Sequence, residues 1–169
     1  MEIGLSLGSN LGDRLQNLKA AKKLILASGN AAFIAQSPVY ETEPVDVPAA
    51  DRDMPFLNAV LVVASETAVK DLQNIFRRIE LEIGRVPDAA RNSRRPIDID
   101  IIYAGDLRVD EEGITIPHPR WFQRRFVLQP LCDLHPDLVI PGQASAVQDV
   151  LRNLPDRHKV KMAFPVSAW

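Results

Sequence analysis

Residues 94–102 read RRPIDIDII, and the alternation in this run decides the fold. In an extended chain successive side chains point to opposite faces. Ile97, Ile99 and Ile101 therefore fall on one side and Asp98 and Asp100 on the other. The stretch reads as a strand with one apolar and one anionic face. Two like charges about 7 Å apart on a strand face repel each other, so they add nothing to folding unless a cation offsets them. The solvated face of a half-buried antiparallel strand shows the same alternation, and the rest of the chain has to choose between the two readings.

Upstream, Ile3, Leu5 and Leu7 alternate with small or polar residues and predict a short strand ending at the turn-prone GSNLGD, 8–13. Apolar positions from Leu15 through Leu18, Ala21 and Leu24 or Ile25 have helical spacing, with a stop at Gly29. AAFIAQSPVYET (31–42) and FLNAVLVVAS (56–65) are rich in β-branched and aromatic residues and predict strands. Between Thr67 as N-cap and Gly84 as stop, Leu72, Ile75, Phe76, Ile79 and Ile83 mark one face of a second helix. The order strand, helix, strand, strand, helix, strand is the split pattern of an α+β, ferredoxin-like βαββαβ fold. It predicts an antiparallel sheet with both helices on one face and the other face free for a ligand.

A short turn region (104–116), the segment IPHPRWFQRRFVLQPL (116–131) and a last helix near Ala146–Leu154 follow, giving a C-terminal hairpin and helix. Ser145 and Gln148 have capping-box spacing at the start of that helix. The chain shows no internal repeat, and its 169 residues suit one domain spanning 1–169.

Hydrophobic residues make up 46% and charged residues 25%, the balance of a soluble globular protein. A net charge of −2 argues against general affinity for nucleic acid. Cys132 is the only cysteine, in an apolar setting that suits core packing, so no internal disulfide can form. The N-terminus lacks a basic segment followed by a long apolar one, and no window approaches the roughly 20 apolar residues of a membrane span. A cytoplasmic protein, without membrane or nucleic-acid partners, is expected.

Two connections are long for a compact fold: TEPVDVPAADRDMP (42–55) and RVPDAARNSRRP (85–96). The second is dense in arginine, with Arg85, Arg91, Arg94 and Arg95 balanced only by Asp88, and Arg120, Arg124 and Arg125 follow His118. Guanidinium groups match phosphate oxygens, and a carboxylate pair offers hard oxygen ligands to magnesium, which in turn binds phosphates. Together they compose a phosphoryl-transfer site. There is no GxxxxGK[ST] loop, and GSNLGD is too common a glycine pattern to stand for one. His118, between Pro117 and Pro119, reads equally well as part of a rigid turn.

LGSNLGDR (7–14), YETEP (40–44), FLNAV (56–60), RRIELEIGR (77–85), RRPIDIDII (94–102), PHPR (117–120) and FVLQPL (126–131) occur in the order and spacing of one family. Across nearly the whole chain the sequence resembles the 6-hydroxymethyl-7,8-dihydropterin pyrophosphokinases of folate biosynthesis. The resemblance implies transfer of pyrophosphate from ATP to the hydroxymethyl group of the pterin, leaving AMP, by a monomer. It implies that Asp98 and Asp100 hold two magnesium ions, and that Arg85, Arg95, Asp98 and Asp100 are catalytic. ATP would be bound by Arg77, Glu80, Arg85, Arg95, Ile101, His118 and Arg124. The pterin ring would stack between Phe56 and Phe126, with Thr42, Val45, Asn58 and Asp98 at its edge. The chain departs from many members at Asn92, Ser93 and Arg94 in the arginine loop, and at Asp46, Arg77 and Pro119.

Two other readings follow from the same pattern. A ferredoxin-like sheet can serve as an RNA-binding module, but such modules stack bases on aromatics, and two aspartates on the open face would repel a phosphate backbone. A chain that keeps the fold without the activity is the other.

Overall fold

The structure, a computed structural model, describes residues 1–45, 48, 53–87, 93–155 and 158–169. The expected elements appear in order: β1 (Glu2–Ser9), α1 (Arg14–Ala27), β2 (Ala32–Gln36), β3 (Val39–Thr42), β4 (Phe56–Ala64), α2 (Val69–Ile83) and β5 (Asp98–Ala104). A hairpin of β6 (Val109–Glu111) and β7 (Ile114–Ile116) follows, then α3 (Arg125–Leu134), α4 (Val147–Asn153) and β8 (Val160–Phe164). The main sheet runs β5-β1-β4-β3-β8, with β2 also on β4, and every pairing is antiparallel.

Alternation along β1 and β5 does what the sequence leads one to expect. Ile3, Leu5, Leu7, Ile97, Ile99 and Ile101 are buried with Leu18, Ile25, Leu72 and Phe76, the apolar sides of α1 and α2. Asp13 caps α1 by accepting the Gln16 N–H at 3.1 Å. Gly84 ends α2 in the left-handed region at φ 109°, which an L side chain would resist.

The opposite face is not wholly free, which corrects the expectation of helices on one side only. Val60, Val62, Ile102 and Tyr103 form a second core with Val127, Leu128 and Leu131 of α3 and Val147 of α4. A β-bulge makes this possible: Gly4 pairs with Tyr103 but Leu5 with Ile101, so Ile102 is the extra residue and both it and Tyr103 join this core. Pro130 inside α3 interrupts the helical signal, because proline has no N–H to donate to the preceding turn.

Smaller expectations also change. Residues 31–42 form two strands, broken at Ser37-Pro38, where the Ser37 Oγ accepts the Val60 N–H at 2.9 Å. Among the described residues Ala68 caps α2 and Ala146 caps α4, neither through a side chain. Thr67 instead donates to Asn30 Oδ1 at 3.2 Å, and Gln148 to Asp137 Oδ1 at 2.7 Å, so the capping box does not form. Residues 104–116 hold the β6–β7 hairpin, and β8 adds an edge strand outside the anticipated pattern. Cys132 is half-buried against the second core, and burial raises its thiol pKa. No helix among the described residues is long and apolar enough to cross a membrane.

Candidate active site

Where α3 and α4 leave the sheet uncovered, a cleft of about 730 Å³ opens over the ends of β1, β4 and β5. Its floor is set by strand register. Asp98 lies opposite Gly8, which lies opposite Asn58; one step along, Asp100 lies opposite Ser6. Gly8 leaves room there: a Cβ would stand 2.9 Å from Asn58 Oδ1, which would have to shift. Asn58 is buried and donates through Nδ2 to Thr42 Oγ1 at 2.6 Å, which ties its amide to β3.

One end of the cleft is charged. Arg85 donates to Asp98 Oδ1 and Arg95 to Asp98 Oδ2, both at 2.7 Å. Arg85 also donates to Glu80 at 2.7 Å. The same Glu80 oxygen accepts the Ile99 N–H at 2.8 Å, so one buried carboxylate ties α2, the arginine loop and β5 together. Burial pushes the Glu80 carboxyl up to about 7, against the opposing pull of the Ile99 amide and Arg85. Burial disfavours the charged form of Arg85 too, but Asp98 and Glu80 outweigh it and its pKa is raised.

Asp100 is half-buried beside Asp98, with His118 Nε2 and Arg124 Nη1 each 4.0 Å from its Oδ2. Burial first, and the Asp98 charge second, raise its pKa above the usual carboxylate range. His118 follows the Ile116–Pro117 cis peptide, and its N–H donates to the Ile102 carbonyl at 2.9 Å. Its Nδ1 accepts the Arg120 N–H at 3.1 Å, and Arg124 Nη1 lies 3.5 Å from its Nε2. Burial, Arg124 and Arg120 lower its pKa to about 4, which keeps the ring neutral.

The other end is aromatic. Phe56 begins β4 and Phe126 lies in the first turn of α3. The Arg95 guanidinium lies 5.8 Å from the Phe56 ring centre, and that of Arg124 lies 5.4 Å from Phe126, so a cation rests over each ring.

Thus the cleft brings together Arg77, Glu80, Arg85, Arg95, Asp98, Asp100, His118 and Arg124 with Thr42, Val45, Phe56, Asn58 and Phe126. Ile101 stands apart: its side chain belongs to the core under the helices, and it borders a smaller cavity of about 240 Å³ between β5 and the β6–β7 hairpin. Asp46, Asp88, Arg91 and Asn92 lie outside the described residues. Ser6, Gly8 and Gln73 also line the cleft. The parity that places Asp98 and Asp100 on the open face places Ser6 and Gly8 there too. Gln73, which donates to the Gly113 carbonyl at 3.0 Å, borders both cavities and left no such signal.

A carboxylate pair walled by guanidiniums, in one cleft with Phe56 and Phe126, has the make-up of a phosphoryl-transfer site. Residues 4–136 match the family model described as 7,8-dihydro-6-hydroxymethylpterin-pyrophosphokinase (HPPK). A 2-amino-4-hydroxy-6-hydroxymethyldihydropteridine pyrophosphokinase of Porphyromonas gingivalis is 40% identical over 147 residues, covering 83% of this chain and 97% of that protein. A folate synthesis bifunctional protein of Arabidopsis thaliana is 39% identical over 134 residues, covering 79% of this chain and 27% of its own length. The chain spans about a quarter of the length of that bifunctional relative. A crystal structure of wild-type HPPK-DHPS from Plasmodium falciparum shares the fold, with TM-score 0.63 and 15% identity, over 89% of this chain and 43% of that one. The chain belongs to the 7,8-dihydro-6-hydroxymethylpterin-pyrophosphokinase family.

Proposed function

We propose that this chain transfers the terminal pyrophosphoryl unit of ATP to the hydroxymethyl oxygen of 6-hydroxymethyl-7,8-dihydropterin, on a ferredoxin-like frame and as a single-domain monomer in the cytoplasm. The observation that carries the reading is adjacency. The carboxylate–guanidinium end and the aromatic–amide end meet in one cleft at neighbouring register positions, Asp98, Gly8 and Asn58.

In this reading the pterin lies between Phe56 and Phe126. A flat heterocycle gains from stacking, and the Asn58 carboxamide offers donor and acceptor to its amino-pyrimidinone edge. Thr42 and Val45 border the same edge. The adenine end of ATP reaches the smaller cavity beside Ile101, with Arg77 and His118 along the way and the phosphates toward Arg85, Arg95 and Arg124. A bond forms from the hydroxymethyl oxygen to the β-phosphorus as the β-phosphorus releases the oxygen bridging to the α-phosphate; AMP leaves with that oxygen, and the hydroxyl proton passes to water. Fixed guanidiniums favour the charge that spreads over the phosphate oxygens.

Asp98 and Asp100 would hold two magnesium ions. The donor set fits in kind: two carboxylates face the cleft side by side, Asp98 would turn its oxygens from Arg85 and Arg95 toward the metal, and magnesium completes its coordination with waters and substrate phosphates. When bound, magnesium supplies Lewis-acid neutralisation of the polyphosphate.

Incubation with ATP, magnesium and the pterin, with chromatography of products, tests the proposal. AMP and pterin diphosphate should appear together and only with both substrates; ADP, or ATP hydrolysis indifferent to pterin, refutes it. Sedimentation at assay concentration tests the monomer.

A further inference from the structure

GSNLGD is no phosphate loop; Gly8 shapes the cleft floor and Asp13 caps α1. Asn10 lies between them, directly after β1. Its side chain is buried, only 4% exposed. Its Oδ1 accepts the Arg95 N–H at 2.8 Å, and its own N–H donates to the Arg95 carbonyl at 3.2 Å. One residue thus holds both backbone groups of another that lies 85 positions away in sequence.

The reason lies in the register. The β1–β5 ladder ends with Gly8 opposite Asp98, and its continuation would set Asn10 against Pro96, which has no N–H to give. The Asn10 carboxamide reaches past the proline to the next amide. Because Oδ1 must face the Arg95 N–H, the amide has one allowed orientation, and its Nδ2 is left buried without a partner among the described residues. An unpaired buried donor is costly, and the acceptor end supplies what no apolar residue could. Beyond this clamp the Arg95 side chain donates to Asp98 Oδ2 at 2.7 Å and to the Ser93 carbonyl at 3.1 Å, and lies over Phe56. Every one of those contacts depends on where the Arg95 backbone is held.

We infer that Asn10 is a positioning residue, which fixes the Arg95 backbone so that its guanidinium meets Asp98 and the transferring phosphates. The inference rests on the role given to Arg95 in the proposed reaction. Asn10 does not line the cleft and touches no reacting atom; it acts through Arg95.

A double-mutant cycle tests this. Steady-state kinetics are measured for Asn10→Ala, Asn10→Asp, Arg95→Ala and the Asn10→Ala/Arg95→Ala pair. Asn10→Ala should lower kcat by about 10- to 100-fold, the cost of a misplaced group, with the KM for pterin within about twofold of wild type. Asn10→Asp keeps the acceptor and should retain most of kcat. In the Arg95→Ala background, Asn10→Ala should change kcat less than about twofold, because what it positions is already gone. Should Asn10→Ala not fold, Asn10→Gln, which moves the amide by one methylene, takes its place in the cycle. Equal losses with and without the Arg95 side chain overturn the inference, as does wild-type kcat in Asn10→Ala while Arg95→Ala is impaired. If Arg95→Ala itself turns over at the wild-type rate, the assigned role of Arg95 fails first and the inference falls with it.

Discussion

One face of the sheet leads two different lives. Over its far half, Val60, Val62, Ile102 and Tyr103 are sealed beneath Leu128 and Leu131 of α3 and Val147 of α4. Over its near half, Ser6, Gly8, Asn58, Asp98 and Asp100 face the cleft. The boundary runs along β4, between Asn58 and Val60. Hydrophobic burial stabilises only the covered half; the open half keeps charged groups in fixed places, which is what a site for polyphosphate requires. Stability and chemistry are therefore carried by adjacent stretches of the same strands, and substitutions on the two sides should fail differently.

The largest separation should come from Arg95→Ala. Loss of an arginine that meets developing phosphate charge should lower kcat by about a thousandfold, roughly 4 kcal/mol of barrier, while the melting temperature moves little. Leu128→Ala tests the covered half. Leu128 is fully buried, and its truncation should cost about 3 kcal/mol of stability in denaturant unfolding, with kcat per folded molecule unchanged. If Leu128→Ala abolished turnover without loss of stability, the division between the halves would be wrong.

Glu80 belongs to both the packing and the site, since it is buried and also holds Arg85. Its folded pKa, about 7, is raised from 4.5. Folding therefore takes up a proton between these values. The stabilisation from the protonated group is whole below about pH 4.5 and is lost as pH rises through 7. Unfolding free energy should fall by roughly 3 kcal/mol across that window from this group alone, and the slope should flatten in Glu80→Gln. An unchanged slope would show that Glu80 ionises normally. The smallest effect is expected at Gly8→Ala. Its methyl would press on Asn58 Oδ1, raising the KM for pterin about tenfold with little change in the KM for ATP; a rise in the ATP term instead would move the pterin edge away from Asn58.

How much of this was legible follows from where each signal lay. Period-2 alternation in IDIDII and in Ile3, Leu5, Leu7 foretold both the core under α1 and α2 and the anionic floor, because parity alone assigns a face. Parity also held the answer for Ser6 and Gly8, but small residues carry no chemistry of their own to draw notice. The covered half was hidden for two reasons. Pro130 breaks the pattern of α3, and the bulge at Ile102 reverses parity where a sequence shows only consecutive apolar residues. Long-range pairings such as Glu80 to Ile99, or Asn10 to Arg95, leave no local pattern and needed the fold to bring them together.

The claim at the centre of this account is that Asp98 and Asp100 serve the chemistry and not the fold. The direct measurement is single-turnover transfer from ATP to the pterin with saturating magnesium, in wild type and in Asp98→Asn and Asp100→Asn, with pterin binding and melting temperature followed in the same preparations. The account predicts that both variants stay folded and Asp100→Asn still binds pterin, while transfer falls by about a thousandfold or more. Transfer near the wild-type rate in either variant would contradict it.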